Sequence, residues 1–431
     1  MDLISISVIT GGLLLFSLVS GRLQGTVVTP PLVFIVFGIV IGGEGLAIAN
    51  VDPGHSTIHT LAELTLVLVL FTDAARIDLG QVKRDHNLPV RMLSIGLPMT
   101  IVAGTIIAMQ LFPSLFIWEA ALLAALLAPT DAALGQSVVS AKAVPVRIRQ
   151  AINVESGLND GIALPAVLLF AALASAEHGG TEASSWIRFG LLQITLGPLV
   201  GVLMGYLGAR LIDEAAERGW ATTSYQGIGI LSFAVLTYVV AELVGGNGFI
   251  AAFIGGIVFG NTLRHPCTFL FEFMETEGQL LMLVTFLIFG AALLPEGLQH
   301  WNWNSLLYAV LSLTVIRIIP IVVSLFGAGV RLPTQLFLGW FGPRGLASIL
   351  FVLLILEEAE LVHHDELLTT TVITVALSAL LHGVTAAPLA RLYGRFCARM
   401  GECQENQSVT EMPLRAGHIN IDNNFDRTKP K

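Results

Sequence analysis

Charge is scarce in this chain. Asp, Glu, Lys and Arg make up 12% of its 431 residues, where soluble domains carry about a quarter, and that shortage excludes an ordinary water-soluble fold. The charge that is present sums to −9, which leaves no basic face for phosphate and excludes nucleic-acid binding. Cysteine is nearly missing. Cys267, Cys397 and Cys403 form no CxxC pair and no His/Cys cluster, so neither a disulfide framework nor a zinc site is expected, and the three read as free thiols. The N-terminus, Met1-Asp2-Leu3-Ile4, has no basic stretch before its apolar run, so a retained first helix is expected rather than a cleaved signal.

What the chain has in excess is apolar surface: 54% of its residues are hydrophobic. Its 43 Gly and 18 Pro would weaken helices in water but are tolerated where transmembrane helices pack closely and break locally. Apolar runs of about 20 residues, enough to cross a bilayer core of about 30 Å, begin near Leu3, Val28, Ile58, Leu88, Ile117, Gln150, Trp186, Ser224, Gly248, Phe269, Trp303, Thr334 and Leu367. The fold class expected is an all-α polytopic membrane protein of about 13 transmembrane helices. Nineteen of the 22 Lys and Arg fall in the odd-numbered loops and the C-terminal segment. Cytoplasmic loops hold the excess of such residues, so the N-terminus is expected outside and the C-terminus in the cytoplasm. Residues 1–399 read as one transmembrane domain and 400–431 as a short disordered cytoplasmic tail, polar and poor in core-forming side chains.

Thirteen helices divide as six, one and six, and the two sixes would cross the membrane in opposite senses, an inverted repeat. Helix 5 carries Ala128-Pro129-Thr130-Asp131 and helix 12, its counterpart, carries Gly342-Pro343-Arg344-Gly345. Proline removes a backbone donor and strains the preceding turn, so both helices are expected to unwind. Interrupted segments at equivalent places point to a transport site.

Ionisable groups at membrane depth are costly unless paired or hydrated, which makes each a functional candidate. Those deepest in the apolar runs are Asp73, Asp131, Glu155, Asp160, Arg317 and Arg344. Helix 6 is the most informative, with Asn153, Glu155, Ser156, Asn159 and Asp160 inside eight residues. Ser156 and Asp160 share one helix face and Glu155 and Asn159 the next. A carboxylate in low dielectric needs a positive companion, and either a proton or a dehydrated monovalent cation can supply it. The cation also needs several oxygens, which Asp160, Ser156, Thr130 and carbonyls freed at Pro129 can provide if helices 5 and 6 touch. Asp131 has a structural alternative as a helix N-cap. Arg344 has one as a counter-charge to the half-helix dipole. Arg317 reads as a structural partner or a snorkelling side chain outside the site. His382 and Thr385 on helix 13 read as satisfying local backbone, and Gly255, Gly256 and Gly260 as helix-packing surfaces.

These motifs in this order, Ala128 to Asp131, Asn153-Val154-Glu155-Ser156-Gly157-Leu158-Asn159-Asp160-Gly161, Asn247 to Gly256 and Phe341 to Gly345, resemble the NhaP branch of monovalent cation/proton antiporters. The resemblance runs from helix 3 to helix 13. It implies unwound helices 5 and 12 crossing near the ion, a homodimer in the cell inner membrane, no cofactor, and exchange of Na+, with Li+ or K+ as alternatives, for H+. By position, it implies that Asp160 carries ion and proton in turn with Asn159 beside it, that Thr130, Asp131 and Ser156 line the site, and that Glu155 pairs with Arg344. It implies Na+ held at Asp160, Ser156 and Thr130. Asp73 lies where members often have an acid. Electrogenic relatives place two aspartates where this chain has Asn159-Asp160, so electroneutral one-for-one exchange is expected.

Two other classes remain to be weighed. An intramembrane aspartyl protease also sets two aspartates in membrane helices to share a proton and activate water, but Asp131 and Asp160 stand beside a Pro-Thr break and an Asn rather than in Tyr-Asp and Gly-x-Gly-Asp settings. A passive cation channel or sensor is the other, separable by saturable proton-coupled flux.

Overall fold

The computed structural model describes residues 3–23, 26–49, 56–80, 82, 87–131, 133–179, 183–264, 268–356, 361–400, 403–407 and 409. The regular elements among them are helical. They are α1 (Leu3–Leu23), α2 (Pro30–Ile41), α3 (Ser56–Ala75), α4 (Asn87–Leu111), α5a (Ile117–Leu126), α5b (Gln136–Val139), α6 (Val146–Gly179), α7 (Ala183–Glu217), α8 (Thr223–Leu243), α9 (Gly248–Thr262), α10 (Thr268–Ile288), α11 (Trp303–Ser324), α12a (Leu332–Trp340), α12b (Leu346–Phe351) and α13 (His364–Met400). Every helix start expected from the apolar runs falls within, or within two residues of, one of these elements. Among the described residues nine helices are long and apolar enough to cross a membrane, while α2, the α5a segment, α9 and the α12b segment are shorter and apolar. Cys267, Lys83, Arg84 and residues 357–360 lie outside the described residues.

Local chemistry sets the boundaries. α2 and α12a begin with proline in the first turn, where the missing N–H costs nothing. α9 is capped by Asn247, whose Oδ1 accepts the amide of Ile250 at 3.0 Å, and α11 by Asn302, which accepts the amide of Ser305 at 2.9 Å. α10 runs on through a π-helical turn at Phe289–Leu293 into Leu294–Gln299.

The helices pack in two groups. α7, α8 and α9 lie together, α9 against α3, and α2 against α10; α4, α5a and α6 form the other group with α11, α12a and α13. Glycines make the first group close: a Cβ at Gly256 or Gly260 of α9 would meet the backbone of Phe71 or Ala75 on α3, the small-residue packing expected of this stretch. α6 touches both groups, through α5a on one side and α3, α7 and α9 on the other. The polar run of α6 therefore sits at the seam.

Candidate functional site

Two breaks meet at that seam. Between α5a and α5b the chain is non-helical at 127–131 and 133–135, and between α12a and α12b from Phe341 to Gly345. Proline and glycine remove the donors and the restraint that would carry a helix through, and the ends left open need other partners. They find them in each other. The amide of Asp131 donates to the carbonyl of Pro343 at 2.7 Å, and Arg344 donates through Nη1 to the carbonyls of Ala128 at 2.6 Å and Pro129 at 3.1 Å. The carboxylate of Asp131 accepts the amide of Ala133 at 2.8 Å on one oxygen and that of Leu346 at 2.9 Å on the other. Its capping alternative is thus what the side chain does, on the helix opposite its own as well as on its own turn.

Between these fixed points stands Thr130. Its Oγ1 lies 3.2 Å from the hydroxyl of Ser156 and accepts the Nδ2–H of Asn159, both on α6. Asn159 Oδ1 is buried and has no hydrogen-bond partner among the described residues. Asp160 follows directly, one turn beyond Ser156 on the same face, and is 6% exposed. Of the groups expected to converge, Thr130 and Ser156 meet, with Asn159 also on Thr130, and Asp160 follows in α6, while the carbonyls of Ala128 and Pro129 are taken by Arg344. Asp73 is buried in α3, and its carbonyl lies 3.9 Å from where a Cβ at Gly157 would be, beside Ser156.

Glu155 differs from expectation. It forms its ion pair with Arg317 of α11, not with Arg344, and both side chains are fully enclosed. The reason is that Arg344 is drawn away to the open carbonyls of Ala128 and Pro129, the negative end of α5a, which leaves Glu155 to the guanidinium on its other side. Arg317, set outside the site by sequence reasoning, therefore belongs to its support. A Cβ at Gly342 would lie 2.5 Å from Arg317 Nε, so the α12 break also closes over this arginine. No resolved sequence signal marks the choice between the two arginines, because both lie at membrane depth on helices able to reach α6.

Two further residues escaped the sequence reading. Phe253 of α9, within the Asn247–Gly256 run, covers Gly161 so closely that a Cβ there would clash with its ring, and so walls the site next to Asp160. Ser378 of α13 accepts the amide of Arg344 at 2.7 Å. Among the described residues no group of three or more His, Cys, Asp or Glu could hold a metal ion.

Comparison with known proteins gives consistent findings. The family pattern described as "Sodium/hydrogen exchanger, transmembrane" matches residues 6–392. The chain is 24% identical over 358 residues to a K(+)/H(+) antiporter, NhaP, of Alkalimonas amylolytica, covering 82% of this chain and 61% of that one. It is 26% identical over 334 residues to the Na(+)/H(+) antiporter ApNhaP of Aphanothece halophytica, covering 73% and 61%. The chain thus spans about three fifths of the length of these two curated relatives. The solved structure of the sodium proton antiporter MjNhaP1 from Methanocaldococcus jannaschii at pH 8 superposes with a TM-score of 0.77 at 20% identity, over 92% of this chain and 99% of the other, which identifies the fold.

Proposed function

The chain belongs to the sodium/hydrogen exchanger family, and from that premise we propose that it exchanges a small monovalent cation for protons through Asp160. The observation that carries this reading is the buried cluster at the crossing: two hydroxyls, Thr130 and Ser156, 3.2 Å apart, with the amide of Asn159 on Thr130 and the acid of Asp160 next in sequence. Oxygens of neutral groups replace the water a small cation must shed, and the acid supplies the charge that a proton can equally neutralise. Occupancy by one excludes the other, and coupling follows. The cation is cargo, held by Asp160, Ser156 and Thr130. Asn159 holds Thr130, Asp131 holds the crossing, and Asp73 borders the site from α3.

The aspartyl protease reading is disfavoured by the same geometry, since both carboxylate oxygens of Asp131 accept backbone amides and it is not poised to share a proton with Asp160. Asn159 in place of a second acid leaves one titratable carrier in this pair, which gives electroneutral one-for-one exchange. Alternating access carries the site from face to face, in a multi-pass inner-membrane protein with its N-terminus outside, its C-terminus cytoplasmic, and two copies in a homodimer. Of the two relatives, one is a K(+)/H(+) antiporter and the other a Na(+)/H(+) antiporter; Na+ is the cargo proposed, with Li+ and K+ as the alternatives to be ranked by assay.

The test is a pH-gradient assay in sealed proteoliposomes with Na+, Li+ and K+ in turn. Wild type is expected to move protons on cation addition, with no response to an imposed membrane potential, and Asp160→Asn is expected to be silent while melting as wild type does. Proton movement that survives in Asp160→Asn overturns the assignment.

A further inference from the structure

α13 carries polar side chains at four-residue intervals, Thr370, Thr374, Ser378 and His382, all buried. The first two serve the helix and its neighbour, Thr374 bonding back to the carbonyl of Thr370 and Thr370 reaching Ser305. Ser378 and His382 do something else. His382 Nε2 lies 2.9 Å from the carbonyl of Trp340, the last residue of α12a, to which it donates in the tautomer that carries its hydrogen on Nε2. Its Nδ1 faces Ser378, 3.2 Å from the hydroxyl and 3.0 Å from the carbonyl, and the Ser378 hydroxyl accepts the amide of Arg344 at 2.7 Å. The pair therefore grips the α12 break at two points, Trp340 just before it and Arg344 within it. The rings of Trp340 and Phe341 lie against the imidazole, with centroids 5.1 and 6.5 Å away, which fixes its plane.

What the grip sets is the position of Thr130. Within the break, Pro343 receives the amide of Asp131 and Arg344 holds the carbonyl of Pro129; these are the groups immediately after and before Thr130. A change in the width of the α12 break moves Thr130 Oγ1 relative to Ser156 and Asp160. We propose that His382, acting with Ser378, is a positioning residue for the cation site, through the α12 break and without contact with the ion. The proposal rests on the reading that the crossing holds the cation.

Thr385 supplies the control. It lies on the same helix and accepts the indole N–H of the same Trp340 at 3.1 Å, so it ties α13 to α12a but not to the break. Ser378→Ala, His382→Gln, His382→Leu and Thr385→Val are compared with wild type and Asp160→Asn in two measurements. These are the KM and Vmax for Na+ in proteoliposomes, and the rise in melting temperature that Na+ produces in detergent. Outer partners of ion ligands carry about tenfold to a hundredfold in affinity. Ser378→Ala and His382→Leu are expected to raise KM by at least about tenfold, with a smaller change in Vmax, and to shrink the Na+-dependent rise in melting temperature. His382→Gln, which keeps a donor for Trp340, should fall between them and wild type. Thr385→Val should melt lower with KM unchanged. If His382→Leu does not fold, Ser378→Ala decides. A wild-type KM and a wild-type Na+-dependent rise in Ser378→Ala overturn this inference while the exchange reading stands. If wild type itself shows no Na+-driven proton movement, the reading beneath it fails first.

Discussion

Asp131 and Arg344 each close the broken end of the helix opposite their own. The aspartate on the α5 break accepts the amide of Leu346 at the start of α12b, and the arginine on the α12 break donates to the carbonyls of Ala128 and Pro129 at the end of α5a. An N-terminus wants an acceptor and negative charge, and a C-terminus wants a donor and positive charge. The two breaks are thus complements in hydrogen bonding and in electrostatics. Neither can be repaired by its own helix, because proline occupies each of them. The crossing is held open by the same contacts that hold it together.

Removing the Asp131 carboxylate should therefore be felt as lost stability before it is felt as lost affinity. Asp131→Ala leaves two buried amides, Ala133 and Leu346, without acceptors, at about 1–3 kcal/mol each. Asp131→Asn keeps one acceptor oxygen and should cost roughly half as much. Melting of the purified variants in detergent, read beside proteoliposome exchange, checks this. Equal melting temperatures for Asp131→Ala and wild type would show that the amides find other partners.

Glu155 and Arg317 should behave as a buried pair. Deleting one partner strands the other charge, at about 3–5 kcal/mol, whereas replacing both with apolar residues of similar size can be near neutral. Arg317→Met and Glu155→Leu are each expected to melt well below wild type, and the double variant above either single. The comparison with Arg344→Met matters here. If the Glu155 variant is rescued by loss of Arg344 rather than of Arg317, the pairing seen between α6 and α11 is not the one that stabilises the protein.

Glycine at 345 answers to a neighbour: an added Cβ would stand 3.0 Å from the Asp131 carboxyl carbon and closer still to one of its oxygens. Overpacking costs about 1–3 kcal/mol, and here the atom displaced is a cap. Gly345→Ala should lower both melting temperature and exchange, and Gly345→Ala with Asp131→Ala should be less than additive, because the second change removes the group that the first one strikes.

How much of this was legible beforehand depends on how local the signal is. The apolar runs, the paired prolines and the polar face of α6 are written in consecutive residues, and the helices, the two breaks and the contact of Thr130 with Ser156 and Asn159 follow them. Partners across the fold are not written that way. Whether Glu155 meets Arg317 or Arg344 turns on which arginine the open carbonyls of Ala128 and Pro129 engage, and the apolar sequence around each arginine is silent on that. The seat of Asp131 on Leu346 and the grip of His382 on Trp340 are likewise contacts between segments far apart in the chain, each made by a group that also has a credible local use.

The C-terminal segment offers the last case. Most of the 400–431 stretch, whose polar composition reads as disorder, lies outside the described residues, but within 403–407 Gln404–Asn406 form a turn of 3-10 helix with Glu405 almost fully enclosed. Glu405 accepts the amide of Arg331 at 2.8 Å and the hydroxyl of Thr334 at 3.2 Å, while Arg147 at the start of α6 donates to the carbonyl of Gln404 at 2.6 Å. The turn so joins the near ends of α6, α12a and α13, the helices that carry Asp160, Arg344 and His382. Burial works against the charge on Glu405, but the amide of Arg331, with its own amide and the side chains of Cys403 and Thr334, outweighs it and holds the carboxyl below the ordinary 4.5. A depressed folded value adds stability above the ordinary one and loses it as pH falls through the folded one. The contribution is therefore complete from neutral pH down to the ordinary carboxylate value and disappears only below it. Glu405→Gln should melt lower at neutral pH by an amount equivalent to about 1–3 kcal/mol, and the gap from wild type should close as the melts are repeated toward pH 3. A gap that stays constant across that range would mean the side chain holds the turn by shape and not by charge.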